Sequence, residues 1–144
     1  MHPFPHQYLV RATGKAEGLI AVSAPAVPTL QTAAPAEFGG PGDQWSPETL
    51  LVAAAADCFI LTFRAIAGAS KLAWNDLTCD ADGKLDRVDG VTRFTGLTLR
   101  ARLSVPSGTD TERARRLLEK AEKNCLITRS LAFPIELICE LAVA

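Results

Sequence analysis

Histidine is scarce in this sequence, and neither sign of charge dominates it. The 144 residues include two histidines, His2 and His6, and both lie in a proline-containing stretch at the N-terminus. Because a Ser–His–Asp hydrolase needs a firmly positioned histidine, the sequence argues against that class of enzyme. The 15 basic and 16 acidic residues give a net charge of -1, so no basic surface for nucleic acid or for an anionic membrane is predicted.

Cysteine is also sparse, and its spacing excludes two common kinds of site. No two cysteines are separated by two residues, which is the spacing typical of zinc sites and of thioredoxin-like redox motifs. They are also too few for a disulfide-stapled scaffold in a chain of this length. We therefore expect neither a metal ion nor a cofactor. The cysteines are Cys58, Cys79, Cys125 and Cys139.

Long hydrophobic runs are absent as well. The N-terminal residues MHPFPHQYLV contain no basic stretch that leads into an apolar segment, so no secretory signal peptide is predicted. The most apolar segment, Leu50 to Phe63, is shorter than the roughly 20 residues that cross a bilayer, and Asp57 interrupts it. We expect a cytoplasmic protein without a membrane span, folded as a single domain over residues 1–144.

The first third of the chain predicts short strands followed by a helix start. Tyr8–Thr13 and Leu19–Ser23 flank the residues GKAEG, which predicts a hairpin, and a further short strand is expected around Thr29–Thr32. The sequence Ser46-Pro47-Glu48 predicts the beginning of a helix. Serine can cap the free backbone N–H groups, proline suits the first helical position, and glutamate complements the helix dipole.

The predicted helix is apolar around nearly its whole circumference as far as Ala67, and Gly68 or Ser70 is expected to end it. A helix of this kind is buried on almost all sides. The elements of one small domain normally cover one face of it, so a second subunit is the natural source of the remaining cover. The sequence therefore predicts a homodimer, with a monomer whose sheet curls around the helix as the alternative.

From Ala73 onward the hydrophobic period changes to two residues. The segments LTCDADGKLDRV and VTRFTGLTLRARLSV, joined at Asp89-Gly90, predict a β-hairpin. An amphipathic helix capped by Thr109 or Asp110 follows, and FPIELICELAV predicts a final strand. The order β-β-(β)-α-β-β-α-β predicts an α+β fold with an antiparallel sheet around a long buried central helix.

The local settings of the cysteines divide them into two pairs. Cys79 and Cys139 share strand faces with apolar residues and are expected to fill the core. Cys58 lies within the apolar helix beside Asp57, and Cys125 ends or just follows the amphipathic helix. Free cysteine is among the most buried residue types, so each alone is more often structural than reactive. Spacing along the chain does not show that Cys58 and Cys125 meet.

Three features in register resemble the OsmC/Ohr family of thiol-dependent peroxidases, and more closely its OsmC-like side. They are the Ser-Pro-Glu helix start within FGGPGDQWSPETLLVAAAADCF, the cysteine ten residues after that glutamate, and the second cysteine in AEKNCLI. The resemblance runs over nearly the whole chain. It implies an intertwined α+β homodimer with two central helices and active sites at the subunit interface, acting in antioxidant and stress responses.

The resemblance also implies roles for individual residues. Cys58 matches the peroxidatic cysteine, which attacks an organic hydroperoxide, and Cys125 matches the resolving cysteine, which then forms a disulfide with it. Glu48 matches a glutamate that pairs with an arginine from the N-terminal hairpin and so steadies the thiolate. An external dithiol, typically on a lipoyl-bearing partner, reduces the disulfide.

The cation of this site has two candidates. Where the family has a GGRDG-like turn this sequence has TGKAEG, so Lys15 stands at the position of the arginine, and Arg11 lies four residues earlier. Lysine supplies a charge but not the planar fork of arginine. Because of this departure, a non-catalytic dimer of the same fold that binds a small ligand or acts as a thiol redox sensor is the alternative function.

The spacing of Glu48 and Cys58 sets a geometric condition on the site. Ten residues of one continuous helix separate them by roughly 15 Å, too far for both to touch one cation. Either the helix breaks between them, or Glu48 serves Cys58 of the partner subunit across an antiparallel pair of helices. We favour the second hypothesis.

Overall fold

The computed structural model describes residues 1–144 and divides them into two compact units, Met1–Leu50 and Leu51–Ala144. The strands are β1 (Arg11–Thr13), β2 (Ile20–Ser23), β3 (Leu30–Thr32), β4 (Asp76–Val88), β5 (Val91–Val105) and β6 (Ile135–Val143). The helices are α1 (Pro47–Ala69), α2 (Thr111–Asn124) and the short α3 (Leu126–Arg129), with one 3-10 turn at Ala36–Phe38. This order confirms the predicted α+β succession.

The first unit contains a small antiparallel sheet in the order β1-β2-β3. It confirms the predicted N-terminal hairpin and the third short strand. Strand β1 is shorter than predicted, because Tyr8, Leu9 and Val10 precede it as exposed chain outside the ladder. Beyond β3, the backbone N–H of Ala33 donates to the carbonyl of Trp45 at 2.9 Å, which returns the chain to the start of α1.

The second unit is built on the sheet β4-β5-β6. Strands β4 and β5 form the predicted hairpin, and Asp89 and Gly90 both adopt positive φ, as a tight hairpin turn requires. Strand β6 pairs with β5 in parallel, so the sheet is mixed and the expectation of a wholly antiparallel sheet is wrong. The reason is the connection: α2 carries the chain back across the sheet, and such a crossover makes the two strands parallel.

One hydrophobic core fills the second unit. Helix α2 is capped by Asp110, whose carboxylate accepts a hydrogen bond from the backbone N–H of Arg113 at 3.0 Å.

Cys79 and Cys139 pack against the core, as predicted. Gly83 lies where a Cβ would come within 2.6 Å of Val52, so the lack of a side chain lets α1 approach β4 closely. The fully buried large side chains of the core are Phe59, Phe63, Leu99, Leu103, Val105 and Leu118.

Helix α1 begins at the predicted cap and runs without a break. The hydroxyl of Ser46 accepts the backbone N–H of Thr49 at 3.1 Å, and the backbone N–H of Ser46 donates to the hydroxyl of Thr49 at 2.9 Å. At 23 residues α1 is long and apolar enough to cross a membrane, so the length argument against a membrane span is wrong. What identifies α1 as a core helix is its packing through Phe59 and Phe63.

The chain itself buries only one stripe of α1. The fully buried positions recur every fourth residue at Ala55, Phe59, Phe63 and Ala67, and the other faces are half-buried or exposed. This agrees with the expectation that the elements of one small domain cover only part of the helix.

Replacing Phe59 with alanine tests the core. We expect Phe59→Ala to lower the free energy of unfolding by about 3–5 kcal/mol, because a fully buried ring leaves a cavity that the surroundings fill only in part. Val91→Ala is the control, since Val91 is 57 % exposed and its truncation is expected to cost within about 0.5 kcal/mol. Urea unfolding at one fixed protein concentration measures both. Equal losses in the two variants would contradict this assignment of the core.

Candidate functional site

Cys58 lies in the middle of α1, on the flank of the buried stripe. Its side chain is half-buried, and its Sγ lies 3.8 Å from the hydroxyl of Thr62, one helical turn further on. The neighbouring Asp57 is exposed. Because successive residues of a helix point about 100° apart, the thiol and the carboxylate face different surroundings.

Cys125 lies at the junction of α2 and α3. Its backbone is extended, with φ -65° and ψ 112°, so it ends α2 and caps the four-residue α3 that follows. The residue is fully buried, and the hydroxyl of Thr128 donates to its carbonyl oxygen at 3.2 Å. This break in the helix turns the backbone N–H groups at the start of α3 away from α2.

The structure brings the two thiols together. The Thr62 hydroxyl lies 3.8 Å from the Cys58 sulfur, and the backbone of Ile127 and Leu126 and the side chain of Cys125 act on the pKa of Cys58 as hydrogen-bonding neighbours. Burial raises the pKa of Cys58, but these hydrogen bonds stabilise the thiolate and together hold its pKa below the ordinary value for a cysteine. The donors are neutral groups of the same chain, whereas the sequence had suggested a cation.

The pKa of Cys125 shifts in the opposite direction, upward. Burial raises its pKa, hydrogen bonds from Thr128 oppose that rise, and the neighbouring Cys58 raises it further. Near neutral pH Cys125 therefore keeps its proton and donates it towards the Cys58 sulfur. The pair therefore combines one cysteine whose pKa is lowered with one whose pKa is raised, which is the asymmetry that favours a nucleophile and a second, resolving thiol.

The other two cysteines, Cys79 and Cys139, have raised pKa values and are expected to be unreactive. Burial and the nearby Asp80 raise the pKa of Cys79 to about 11, and burial raises the pKa of Cys139. A thiol that stays protonated is a poor nucleophile. The structure contains no group of three or more side chains arranged to hold a metal ion.

Glu48 stands in the first turn of α1 and has an unusual environment. Its Oε1 is buried and has no hydrogen-bond partner. It takes no part in the helix cap, which is completed by Ser46 and Thr49. The two candidate cations are both exposed, Arg11 on β1 and Lys15 in the turn between β1 and β2, and neither forms an ion pair in the chain.

Sequence reasoning singled out the two cysteines, which the structure places together, but it missed the groups that lower the pKa of Cys58. The N–H groups of Leu126 and Ile127 belong to the backbone, so they cannot be predicted from the types of these residues. A four-residue helix is too short for a periodic pattern. The one available signal was the position of Thr62, four residues after Cys58 and hence on the same side of the helix.

Removing the hydroxyl of Thr62 tests this account of the thiolate. We expect Thr62→Val to raise the pKa of Cys58, because one donor to the charged form is lost while burial is kept. The thiolate fraction at pH 7 then falls, and with it the rate of alkylation by iodoacetamide. Thr62→Ser retains the hydroxyl and is expected to react as the wild type does. A pH profile of the alkylation rate, followed by peptide mass analysis at Cys58, measures the shift. An unchanged profile in Thr62→Val would exclude this hydroxyl as a donor.

Comparison with known proteins relates most of the chain to proteins of one family. The family model described as OsmC-like protein matches residues 40–140. The uncharacterized protein YmaD of Bacillus subtilis is 32 % identical over 112 residues, which cover 76 % of this chain and 75 % of YmaD. The organic hydroperoxide resistance protein of Xanthomonas axonopodis pv. citri is 31 % identical over 133 residues, which cover 91 % of this chain and 90 % of that protein.

A solved structure agrees with the sequence comparisons. An OsmC-like protein of unknown function from Vibrio cholerae superimposes with a TM-score of 0.81 at 21 % identity, over 95 % of this chain and 99 % of that chain. The fold is therefore the OsmC fold, and its long helix carries the cysteine that the sequence singled out. The chain belongs to the OsmC-like protein family.

Proposed function

We propose that this protein is a thiol-dependent peroxidase that reduces organic hydroperoxides through Cys58 and Cys125. The single observation that carries the proposal is the thiol pair itself. Cys58 has a lowered pKa and accepts a hydrogen bond from Cys125, whose pKa is raised. One sulfur is prepared to attack and the other is close enough to resolve the product.

The first step is nucleophilic attack on the peroxide. The Cys58 thiolate attacks the terminal oxygen of ROOH, a sulfur–oxygen bond forms, and the oxygen–oxygen bond breaks. Cys58 is oxidised to a sulfenic acid, and the departing alkoxide takes up a proton to leave as the alcohol ROH. The backbone N–H groups of Leu126 and Ile127 hold the thiolate in place before the attack.

The second step forms a disulfide. The Cys125 sulfur attacks the Cys58 sulfur, a sulfur–sulfur bond forms, and the hydroxyl group leaves with the Cys125 proton as water. This protects Cys58 from oxidation to the sulfinic acid. An external dithiol, for which we propose a lipoyl-bearing protein, then reduces the disulfide and becomes a disulfide itself.

The surroundings of the thiol pair support an organic substrate. Leu126 directly follows Cys125, donates its N–H to Cys58, and leaves its own side chain 67 % exposed. We propose that this exposed apolar side chain contacts the alkyl group of the substrate, which would favour alkyl hydroperoxides over hydrogen peroxide. The name of the Xanthomonas relative, an organic hydroperoxide resistance protein, points to the same substrate class. We propose a cytoplasmic location, where thiols are kept reduced.

The working form is proposed to be an intertwined homodimer in which residues 1–144 make one OsmC-like domain. Helix α1 buries one stripe in its own chain, and large apolar side chains remain exposed elsewhere, among them Tyr8, Leu9 and Leu61. A stable monomer rarely leaves so many in water. The family match spans residues 40–140 and so includes parts of both compact units.

Glu48 is proposed to act on the Cys58 of the partner subunit. Helix α1 is continuous from Pro47 to Ala69, so the alternative of a break between the two residues is removed. The buried Oε1 of Glu48 without a partner calls for a cation, which Arg11 or Lys15 supplies. That ion pair would steady the thiolate in addition to its neutral donors.

Cysteine replacement tests the peroxidase reaction. We expect the wild type to consume cumene hydroperoxide with dihydrolipoamide as reductant, Cys58→Ser to consume none, and Cys125→Ser to complete one turnover before Cys58 gains further oxygen atoms. Peroxide depletion and intact mass measure the two effects. Cys139→Ala is the matched control, since it removes a thiol that packs in the core.

A wild-type protein that consumes neither cumene nor tert-butyl hydroperoxide with this dithiol would overturn the enzyme proposal. The same chain would then be a ligand-binding dimer or a thiol redox sensor. A sensor would still form the Cys58–Cys125 disulfide but would not turn over.

Mixed dimers test which subunit Glu48 serves. A chain carrying Glu48→Gln is paired with a chain carrying Cys58→Ser, so that the one remaining Cys58 faces an intact Glu48 only across the interface. We expect about half the wild-type rate per dimer. If Glu48 instead acts within its own chain, the rate falls by about ten- to a hundredfold, the value of one charge-assisted hydrogen bond.

The reciprocal pair completes this experiment. A chain with both substitutions is paired with a wild-type chain. If Glu48 acts on the Cys58 of the partner subunit, this dimer is expected to show the rate that is lower by about ten- to a hundredfold. Differently tagged chains isolate each mixed dimer, and Arg11→Gln and Lys15→Gln in the wild-type background identify the cation. Equal rates in the two mixed dimers would contradict service by Glu48 across the interface.

A further inference from the structure

The start of α2 carries a basic residue whose charge does not suit its own helix. Arg113 is half-buried in the first turn of α2, where the positive end of the helix dipole disfavours a cation. Its backbone N–H takes part in the cap by donating to the carboxylate of Asp110. The cap therefore uses the backbone of Arg113 and leaves its guanidinium to act elsewhere.

The end of α1 has the opposite deficiency. The chain leaves α1 through a Schellman motif, with Lys71 at positive φ, and the last turn of α1 contains no basic residue. The carbonyl of Ser70, just beyond the helix, accepts a hydrogen bond from Nη2 of Arg113. Because the carbonyl groups at the end of a helix lack partners within it and favour a cation, Arg113 provides for α1 what α1 itself does not contain.

The same two helices come together a second time at the thiol pair. Cys58 lies 12 residues before Ser70, and Cys125 lies 12 residues after Arg113. At about 1.5 Å per residue, each of these separations is roughly 18 Å. Helices α1 and α2 are therefore antiparallel and are joined at two equally spaced points, one at the Arg113 guanidinium and one at the thiols.

Between these two points the buried face of α2 is apolar. It consists of Ala114, Leu118 and Ala121, which belong to the same core as Phe59 and Phe63. Apolar burial has no preferred direction, whereas a hydrogen bond requires a narrow range of lengths and angles. The bond from Arg113 is thus the directional link that sets how far along α1 the helix α2 lies.

We propose that Arg113 is a positioning residue for the thiol pair. By joining the start of α2 to the end of α1, it holds the other end of α2, with Cys125 and the backbone of Leu126 and Ile127, against Cys58. A slide of α2 by one residue would move that end by about 1.5 Å, over which a hydrogen bond is lost. This inference deepens the proposed function, on which it rests, and gives Arg113 a role without contact with the peroxide.

Removing the guanidinium tests the inference in the full-length protein. We expect Arg113→Gln to raise the pKa of Cys58, because burial of the thiol is kept while the hydrogen-bonding groups of the α2–α3 junction are no longer held at it. The rate of Cys58 alkylation by iodoacetamide at pH 7 then falls about threefold or more. Arg113→Lys keeps a cationic donor and is expected to react as the wild type does. Arg116→Gln removes an exposed arginine of the same helix and is the matched control.

The equilibrium between the Cys58–Cys125 disulfide and lipoamide gives a second measurement, which needs no peroxide. The protein dithiol is oxidised to the disulfide while oxidised lipoamide is reduced to dihydrolipoamide. We expect the equilibrium constant for disulfide formation to fall about threefold to tenfold in Arg113→Gln, because Cys125 is held beside Cys58 for less of the time. Arg113→Met keeps the apolar stem of the side chain and provides the same test if Arg113→Gln does not fold.

A loss of stability in α2 alone is distinguished by Asp110→Ala. This variant removes the cap of α2 and leaves the guanidinium in place, so we expect it to unfold at a lower urea concentration with the alkylation profile of Cys58 close to that of the wild type. Equal changes in that profile in Asp110→Ala and Arg113→Gln would overturn the positioning role.

The remaining outcomes separate this role from the peroxidase proposal. An Arg113→Gln protein that keeps both the alkylation profile and the disulfide equilibrium of the wild type would show that Arg113 only stabilises the fold. A wild type that consumes no peroxide, with both readouts changed in Arg113→Gln and restored in Arg113→Lys, would overturn the enzyme and leave the positioning role standing.

Discussion

The rotation of α1 about its own axis is the constraint on which the rest of the structure depends. Phe59 and Phe63 lie in the core and fix which side of the helix faces the sheet. At about 100° per residue, this rotation turns Cys58 towards the junction of α2 and α3 and turns Asp57 outward. The packing of the core therefore sets the surroundings of the Cys58 thiol. Rotating α1 by a few tens of degrees would move that thiol away from its hydrogen-bond donors.

The end of α2 at Cys125 has two effects on the surroundings of Cys58. Ending α2 at this residue puts a second thiol beside Cys58, and beginning α3 directly after it supplies the N–H groups of Leu126 and Ile127 to the same sulfur. Burial raises the pKa of both cysteines, and it prevails at Cys125, whereas at Cys58 the hydrogen-bonding groups of this junction outweigh it. A single continuous helix would have used those N–H groups internally and left the thiol without them.

Local chemistry in the sequence predicted the features that local chemistry governs. The cap at Ser46, the turn at Asp89-Gly90 and the inward faces of Cys79 and Cys139 each depend on neighbours a few residues away, and each is confirmed. The parallel pairing of β6 depends on how a crossover helix returns over the sheet. This property does not belong to a short window of residues, which is why the expectation of an antiparallel sheet needed correction.

The polar groups discussed above fall into two sets: those that have partners within one chain and those that do not. The neutral groups that lower the pKa of Cys58 all come from its own unit, so this part of the thiol's surroundings is present in a single chain. The buried Oε1 of Glu48, roughly 15 Å from Cys58 along α1, has no hydrogen-bond partner in the chain. A buried carboxylate oxygen without a partner is costly, and a cation supplied by a partner subunit would remove that cost. In the proposed homodimer, association would therefore adjust a nucleophile that already exists: the partner adds charges around a thiolate whose hydrogen bonds were formed when its own chain folded.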